Sequence, residues 1–231
     1  MKSKKSDKSL TLEEKLEQAL VPIEEQPYEV PPNWCWVRLK NINTYKGSQL
    51  DPSKYSNEEF ELYSVPSFDS DYPEVVKGKE IKSSKQIVEI NDVLLCKINP
   101  RINRVWKVSG HTKNKLIASS EWIIIRNSNI NSDYFMYCLR VQYFRQLMLS
   151  SVVGVGGSLT RAQPKNVKNY PIPLPPLPEQ QRIVDLIERL YAKLDEAKEK
   201  VQTAIDSFEL RKAAILHKAF TGELTKAWRL S

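Results

Sequence analysis

Histidine, cysteine and glycine are scarce in this chain, and each shortage closes off a class of chemistry. Two histidines, His111 and His217, stand 106 residues apart in a chain of 231, which argues against a zinc site built on imidazole pairs. His111 has no serine or cysteine nucleophile signature beside it, so a hydrolytic triad is not expected. The three cysteines, Cys35, Cys96 and Cys138, lack CxxC spacing and imply reduced thiols, with Cys96 and Cys138 buried in apolar surroundings. Of seven glycines, only Gly154, Gly156 and Gly157 cluster, and no Lys-Ser or Lys-Thr follows them. That run is therefore not a nucleotide loop; it reads as a flexible loop, or as backbone able to approach a phosphate closely. No apolar run is long enough for a membrane span, and the start MKSKKSDKSL lacks the apolar stretch of a signal peptide. A cytoplasmic protein is expected.

What is present is positive charge, unevenly placed. The net charge is +7 and the pI about 9.2, a balance that favours an acidic partner. Residues 31–175 hold 20 Lys and Arg against 12 Asp and Glu, an excess of 8, while the remainder of the chain nearly cancels. The excess lies in the part expected to be globular, where a polyanion can be gripped. With 41% hydrophobic and 27% charged residues, the chain can bury one good core.

Three regions are expected. Residues 1–30 form a polar, lysine-rich lead-in and a short helix over 12–20, opened by a capping box of Thr11 and Glu14 and closed by Pro22. A proline-rich linker, VPIEEQPYEVPPNW, then leads to Trp34 and Trp36. Residues 31–175 alternate short β-branched or aromatic runs with polar clusters, predicting strands over 36–39, 61–65, 86–90, 93–98, 105–108 and 116–126. One helix over 132–150 places Tyr134, Tyr137, Cys138, Val141, Phe144 and Met148 on one face. The fold class is thus α+β, a single mixed domain followed by a long helix. The tract NYPIPLPPLPE, too rich in proline for a central strand, reads as a semi-rigid connector.

Residues 176–231 carry the clearest periodic signal. From Ile183 the positions Ile187, Leu190, Leu194, Ala197, Val201, Ala204, Phe208, Arg211 and Ile215, all apolar but Arg211, recur in steps of four and three, the spacing at which helices supercoil. One helix over 178–220 would be roughly 60 Å long. Pro178 and Glu179 mark its start and Gly222 its stop. A stripe this long needs a partner, a second chain or an intramolecular bundle; the helix over 12–20 is too short to cover it.

Two tracts are candidates for gripping a polyanion. In residues 82–115, Lys82, Lys85, Lys97, Arg101, Arg104, Lys107, Lys113 and Lys115 face only Glu89 and Asp92, and INPRINRVWKV sets Arg101 and Arg104 in a turn. The second, GVGGSLTRAQPKNVKN, offers Ser158, Thr160, Arg161, Gln163, Lys165 and Lys168 as donors. Arginine and glutamine suit base edges, whereas lysine more often grips phosphate. Asp69 and Asp71 followed by Glu80, Ile81 and Lys82 loosely match a metal-dependent nuclease pattern, but acids and lysines are too common for that to carry a catalytic reading.

Three segments together, ALVPIEEQPYEVPPNWCWVRLKNI, KNYPIPLPPLPEQQRIVDLIERL and ILHKAFTGELT, resemble the recurrent signatures of the specificity subunit of type I restriction-modification enzymes. EINDVLLCKINP and IASSEWIIIR are similar to its target recognition domains. The resemblance implies a non-catalytic subunit that directs others to double-stranded DNA, binds methyltransferase subunits that carry S-adenosylmethionine, and can recruit a restriction subunit; no cofactor is expected on this chain. It implies a recognition domain at 34–175 and a conserved helix at 179–220. Family members hold two of each, and this chain holds one. The expectation is therefore a homodimer, joined through Ile183, Ile187, Leu190, Leu194, Val201, Phe208 and Ile215, on a bipartite palindrome. The competing readings are a coiled-coil scaffold that binds protein and not DNA, and a stand-alone nuclease.

Overall fold

The computed structural model describes residues 11–150, 152–153 and 160–230. The chain divides into two compact units, Met1–Gln181 and Arg182–Ser231. In chain order the first contains helix α1 (Leu12–Ala19), strand β1 (Cys35–Arg38), helix α2 (Leu39–Ile42) and strands β2 (Gln49–Leu50), β3 (Glu59–Tyr63), β4 (Glu74–Lys77), β5 (Lys85–Ile87), β6 (Val93–Cys96), β7 (Val105–Lys107), β8 (Lys115–Ala118) and β9 (Trp122–Ile125). Helices α3 (Ser132–Arg140) and α4 (Gln142–Ser150), strands β10 (Val152–Val153) and β11 (Arg161–Ala162), helix α5 (Pro164–Val167) and strand β12 (Pro171–Leu174) follow. Helix α6 (Leu177–Asp206) begins in this unit and supplies much of the second, which continues as α7 (Phe208–Phe220) and α8 (Lys226–Arg229). The mixed α+β class expected from the residue pattern is the observed one.

Two sheets carry the first unit. One is five-stranded in the order β2-β5-β8-β3-β4, with β3 and β8 parallel; the other is three-stranded and antiparallel, β7-β6-β9. One apolar cluster includes Tyr63, Val88, Leu94, Cys96, Trp106, Val108, Trp122 and Ile124. Cys96 and Cys138 are buried, as their apolar neighbours predict, and burial raises the Cys138 thiol to about 12.

Four elements differ from the sequence expectation. The run 116–126 is two strands, β8 and β9, in different sheets, because Trp122 N–H turns back to Ser119 O at 3.1 Å and ends the ladder. The helix over 132–150 is broken at Val141, whose ψ of 152° is extended. There the carbonyl of Arg140 accepts from Asn103 Nδ2 at 3.1 Å. Phe135 and Leu139, outside the expected apolar face, are buried as well, and Val141 is exposed. The helix over 178–220 is interrupted at Ser207, whose hydroxyl donates to Ala204 O at 2.7 Å, the serine back-bonding that bends helices.

The fourth difference is the proline tract. Rather than only connecting, Pro171–Leu174 pairs antiparallel with β1, Pro173 opposite Trp36 and Pro171 opposite Arg38. The proline rule survives because this is a two-stranded ribbon. Only one row of its N–H groups meets a strand, so prolines at alternate positions can occupy the other row. Their carbonyls on that outer row accept from tyrosines: Tyr134 Oη donates to Pro173 O at 2.7 Å and Tyr143 Oη to Pro171 O at 2.6 Å.

The residues before Pro31 pack on the same ribbon. Val21 N–H donates to Trp36 O at 2.9 Å, and Trp36 Nε1 donates to Tyr28 O at 3.2 Å beneath an edge-on ring contact. Helix α1 opens with the Thr11–Glu14 capping box. The PEQQ motif also has a structural role. Gln180, buried, accepts from Asn131 N–H at 2.9 Å and donates to Pro175 O at 2.8 Å, while Glu179 accepts from Asn33 Nδ2 and Gln181 from Asn131 Nδ2. Asn131 is the N-cap of α3, so the motif fastens the start of α6 to α3.

Candidate functional site

Hydrogen bonds stitch the two basic tracts together just past the end of β6, the central strand of the three-stranded sheet. Ala162 N–H donates to Lys97 O at 2.8 Å, Asn99 N–H to Thr160 O at 2.8 Å, and Thr160 N–H to Asn99 Oδ1 at 3.3 Å. Ile98 and Arg161 form a bridge. The result is an open cleft of about 460 Å³ lined by Lys97, Arg161, Ala162, Gln163, Pro164 and Lys165. Four of the predicted donors therefore share one surface. Lys168 lines an adjoining recess of about 210 Å³ with Lys40, Asn43 and Tyr45.

Local chemistry explains the loop that leads there. Asn99 and Asn103 are left-handed, at φ 47° and 55°, around a single turn at Pro100–Ile102; asparagine tolerates this conformation because its short amide bonds locally. Arg101 sits exposed at the tip, its carbonyl held by the Arg145 guanidinium. Arg104 turns inward: it is half-buried, and its Nε is buried without a partner among the described residues. Burial raises the neighbouring Cys96 thiol, and the Arg104 charge partly opposes that rise. Arg101, Arg104 and Lys107 are not among the residues that line the cleft.

The cations differ in what already holds them. Lys107 is ion-paired with Asp133 at 2.5 Å, both partly buried, and ties β7 to α3. Lys97 Nζ donates to Ser120 O at 2.7 Å, which fixes its position, and it has no ion pair among the described residues. Arg161 meets Glu121 through two bonds, Nε to Oε2 at 3.3 Å and Nη2 to Oε1 at 3.2 Å, and this contact raises the guanidinium pKa. Lys165 and Lys168 are exposed, and neither has an ion pair among the described residues. Gln163 is the N-cap residue of α5, and Thr160 is half-buried. Ser158 and the GVGG run lie outside the described residues.

Glu121 is the site residue that sequence reasoning missed. It belongs to the Ser119–Ser120–Glu121 turn between β8 and β9, forty residues from Arg161, and nothing in its local pattern announces that partner. Two other acids are structural. Asp92, 1% exposed, receives Arg126 through Nε and Nη2, both at 2.7 Å. Glu61, fully buried, accepts from Tyr63, His111 and Thr112. Among the described residues no group of three His, Cys, Asp or Glu side chains is placed to hold a metal ion, and no helix is long and apolar enough to cross a membrane.

In the second unit the periodic positions lie open to solvent. Leu190, Leu194, Val201, Phe208 and Ile215 are each about half exposed or more, and Ile183 and Ile187 are half-buried. Tyr191, Ile205, Leu216 and Phe220 widen this apolar surface.

Comparison with known proteins agrees with this architecture. Residues 31–206 match the family described as the type I restriction modification DNA specificity domain. The chain is similar to the EcoDI specificity subunit of Escherichia coli, 26% identical over 206 residues that cover 87% of this chain and 44% of the relative. It is 40% identical to the EcoKI specificity subunit of Escherichia coli K12 over 65 residues, covering 28% of this chain and 14% of that one. Its fold is similar to the crystal structure of the HsdS subunit from Thermoanaerobacter tengcongensis, with a TM-score of 0.71, 25% identity, and coverage of 81% of this chain and 49% of that one. A chain from a structure on complex assembly and conformational transition of the type I R-M system gives a TM-score of 0.70 at 25% identity, with 84% and 51% covered. The chain spans about half the length of these relatives or less. With its sheets, its cleft and the start of its long helix all inside the matched span, this chain belongs to the type I restriction modification DNA specificity domain family.

Proposed function

We propose that this chain reads one half of a bipartite site on double-stranded DNA and, without catalysing a reaction itself, positions methyltransferase subunits there. The observation that carries this is the convergence of Lys97, Arg161, Gln163 and Lys165 on one open cleft inside the matched domain. Lys97, Lys165 and Lys168 supply affinity through phosphate contacts, which weakens steeply with salt because bound counterions are released. Arg161 and Gln163 supply base choice from the major groove. Arg101 at its exposed tip and Thr160 are further donors to the backbone. S-adenosylmethionine belongs to the methyltransferase, which must take the target base out of the stack before transfer. A restriction subunit is a further partner of the same assembly, in the cytoplasm.

The exposed seam supports pairing of two chains. Ile183, Ile187, Leu190, Leu194, Val201, Phe208 and Ile215 of two copies running antiparallel would place two recognition domains at opposite ends of a shared rod. A twofold axis then requires an inverted repeat with a set spacer. Selection from a random duplex library tests the reading: enrichment of one bipartite inverted repeat is expected, and failure to retain any duplex at low salt overturns it. Light scattering is expected to give a dimer at micromolar concentration; a monomer overturns the pairing and leaves DNA reading standing.

A further inference from the structure

Arg161, which lines the cleft, is bonded to a carboxylate where a polyanion is expected to bind, and the geometry of that contact gives the carboxylate a task. Glu121 engages Arg161 side-on, accepting from Nε and from one hydrogen of Nη2. A guanidinium has five N–H donors in a rigid fork. With the side-on edge taken, the end-on edge, made of Nη1 and the second hydrogen of Nη2, has no hydrogen-bond partner among the described residues. That edge has the spacing of a bidentate donor for guanine O6 and N7.

The turn that carries Glu121 is held by bonds to Gln86, Lys97 and Tyr63. Ser119 O and Trp122 O both accept from Gln86 Nε2, at 3.0 and 2.9 Å. Ser120 O accepts from Lys97 Nζ, and Glu121 O accepts from Lys97 N–H at 3.0 Å. Buried Trp122, next in sequence, donates from Nε1 to Tyr63 O at 2.9 Å. Such a support restricts the rotamers of a long arginine before binding, and a reader held within a small range of angles discriminates better than a mobile one. The charge argument points the same way. A phosphate meeting Arg161 would also meet the Glu121 carboxylate, whereas guanine presents neutral acceptors; phosphates have Lys97 and Lys165 on the same cleft, neither ion-paired among the described residues.

Resting on the DNA-reading function above, we infer that Glu121 is a specificity-determining positioning residue: it holds Arg161 by one edge so that the other reads a guanine in each half-site. Freed of Glu121, Arg161 keeps its charge and loses its direction, becoming one more phosphate contact.

The test uses the full chain with Glu121→Ala, Glu121→Gln, Arg161→Ala and the double variant Glu121→Ala/Arg161→Ala. Each is put through duplex-library selection and a salt titration, with matching thermal midpoints as the folding control. The wild type should prefer guanine at one position per half-site by roughly 5- to 100-fold. Arg161→Ala should lose that preference. Glu121→Ala should lose much of it at the same position, while the slope of log affinity against log salt steepens by about 0.9. The double variant should match Arg161→Ala, because the two residues act as one unit. Glu121→Gln, which keeps shape and removes charge, should fall between wild type and Glu121→Ala and serves where the alanine variant does not fold. Unchanged base preference and salt slope in both Glu121 variants, beside a changed Arg161→Ala, overturns the role of Glu121 and leaves the DNA reading intact. Unchanged preference in Arg161→Ala overturns the pair together. A wild type that retains no duplex overturns the functional reading and this inference with it.

Discussion

Replacing Glu61 by glutamine removes a charge and almost no volume, so its effect isolates the hydrogen bonding of one buried carboxylate. Oε1 accepts from Tyr63 Oη at 2.8 Å and from His111 N–H at 3.0 Å; Oε2 accepts from Thr112 N–H and Thr112 Oγ1, both at 2.7 Å. An amide must turn its NH2 toward one of these sides. The Tyr63 side is closed to it, because that hydroxyl oxygen already accepts from Ser109 N–H and Gly110 N–H. On the other side the Thr112 hydroxyl can rotate to accept, but the Thr112 backbone N–H is orphaned. One orphaned buried donor costs about 1–3 kcal/mol, and replacing charge-assisted bonds by neutral ones roughly halves those that remain. We expect a loss of about 3 kcal/mol, or roughly 6–12 °C in thermal midpoint for a chain of this size. Burial pushes the Glu61 carboxyl up, but the hydrogen bonds from His111, Thr112 and Tyr63 outweigh it and set the folded pKa below the ordinary glutamate value. A depressed folded pKa contributes stability that is complete above about pH 4.3 and is lost as pH falls through the folded value. Urea unfolding of both proteins from pH 7 to pH 3 should therefore show a gap that narrows below about pH 4. A gap under about 1 kcal/mol at pH 7, or one that widens on acidification, refutes the reasoning.

Three further outcomes are expected. Lys165→Ala, at an exposed cation without an ion pair among the described residues, should weaken duplex binding evenly across sequences and flatten the salt slope by about 0.9, measured by fluorescence anisotropy. Leu194→Asp with Val201→Asp, at positions 64% and 59% exposed, should convert dimer to monomer by light scattering while thermal stability of the first unit changes by no more than about 0.5 kcal/mol. Gly78→Ala would place a Cβ 2.3 Å from Tyr55 O and 2.4 Å from Pro52 O, both backbone atoms. It should destabilise the first unit by about 3 kcal/mol or more, seen as a lowered urea midpoint.

Local chemistry was legible where it acts within a few residues. The Thr11–Glu14 cap, the strands around Val93 and Val105 and the burial of Cys96 follow from side-chain type and period, and the structure contains each. The breaks at Val141 and Ser207 were not legible, because the helical period continues through both. At Val141 the carbonyl freed by the break, that of Arg140, finds its donor on Asn103, 37 residues away. The proline tract misled for a related reason. Its missing N–H groups rule out a central strand, and only the two-stranded pairing with β1 provides a row where they are not needed.

The candidate site divides along the same line. Composition and tract alone located the positive charge and named Lys97, Arg161, Gln163 and Lys165, since charge and donor type are properties of single residues. The order of residues along α6 and α7 likewise set the apolar period, because a helix repeats whatever its sequence repeats. Which cations share a surface was decided by long-range backbone pairing, Ala162 to Lys97 and Thr160 to Asn99. Which of them are already matched by acids was decided by the same contacts: Glu121 beneath Arg161 and Asp133 beneath Lys107. Electrostatic energy falls with distance through space, not along the chain, so only the tertiary fold could separate an arginine paired with an acid from a lysine that has no ion pair among the described residues.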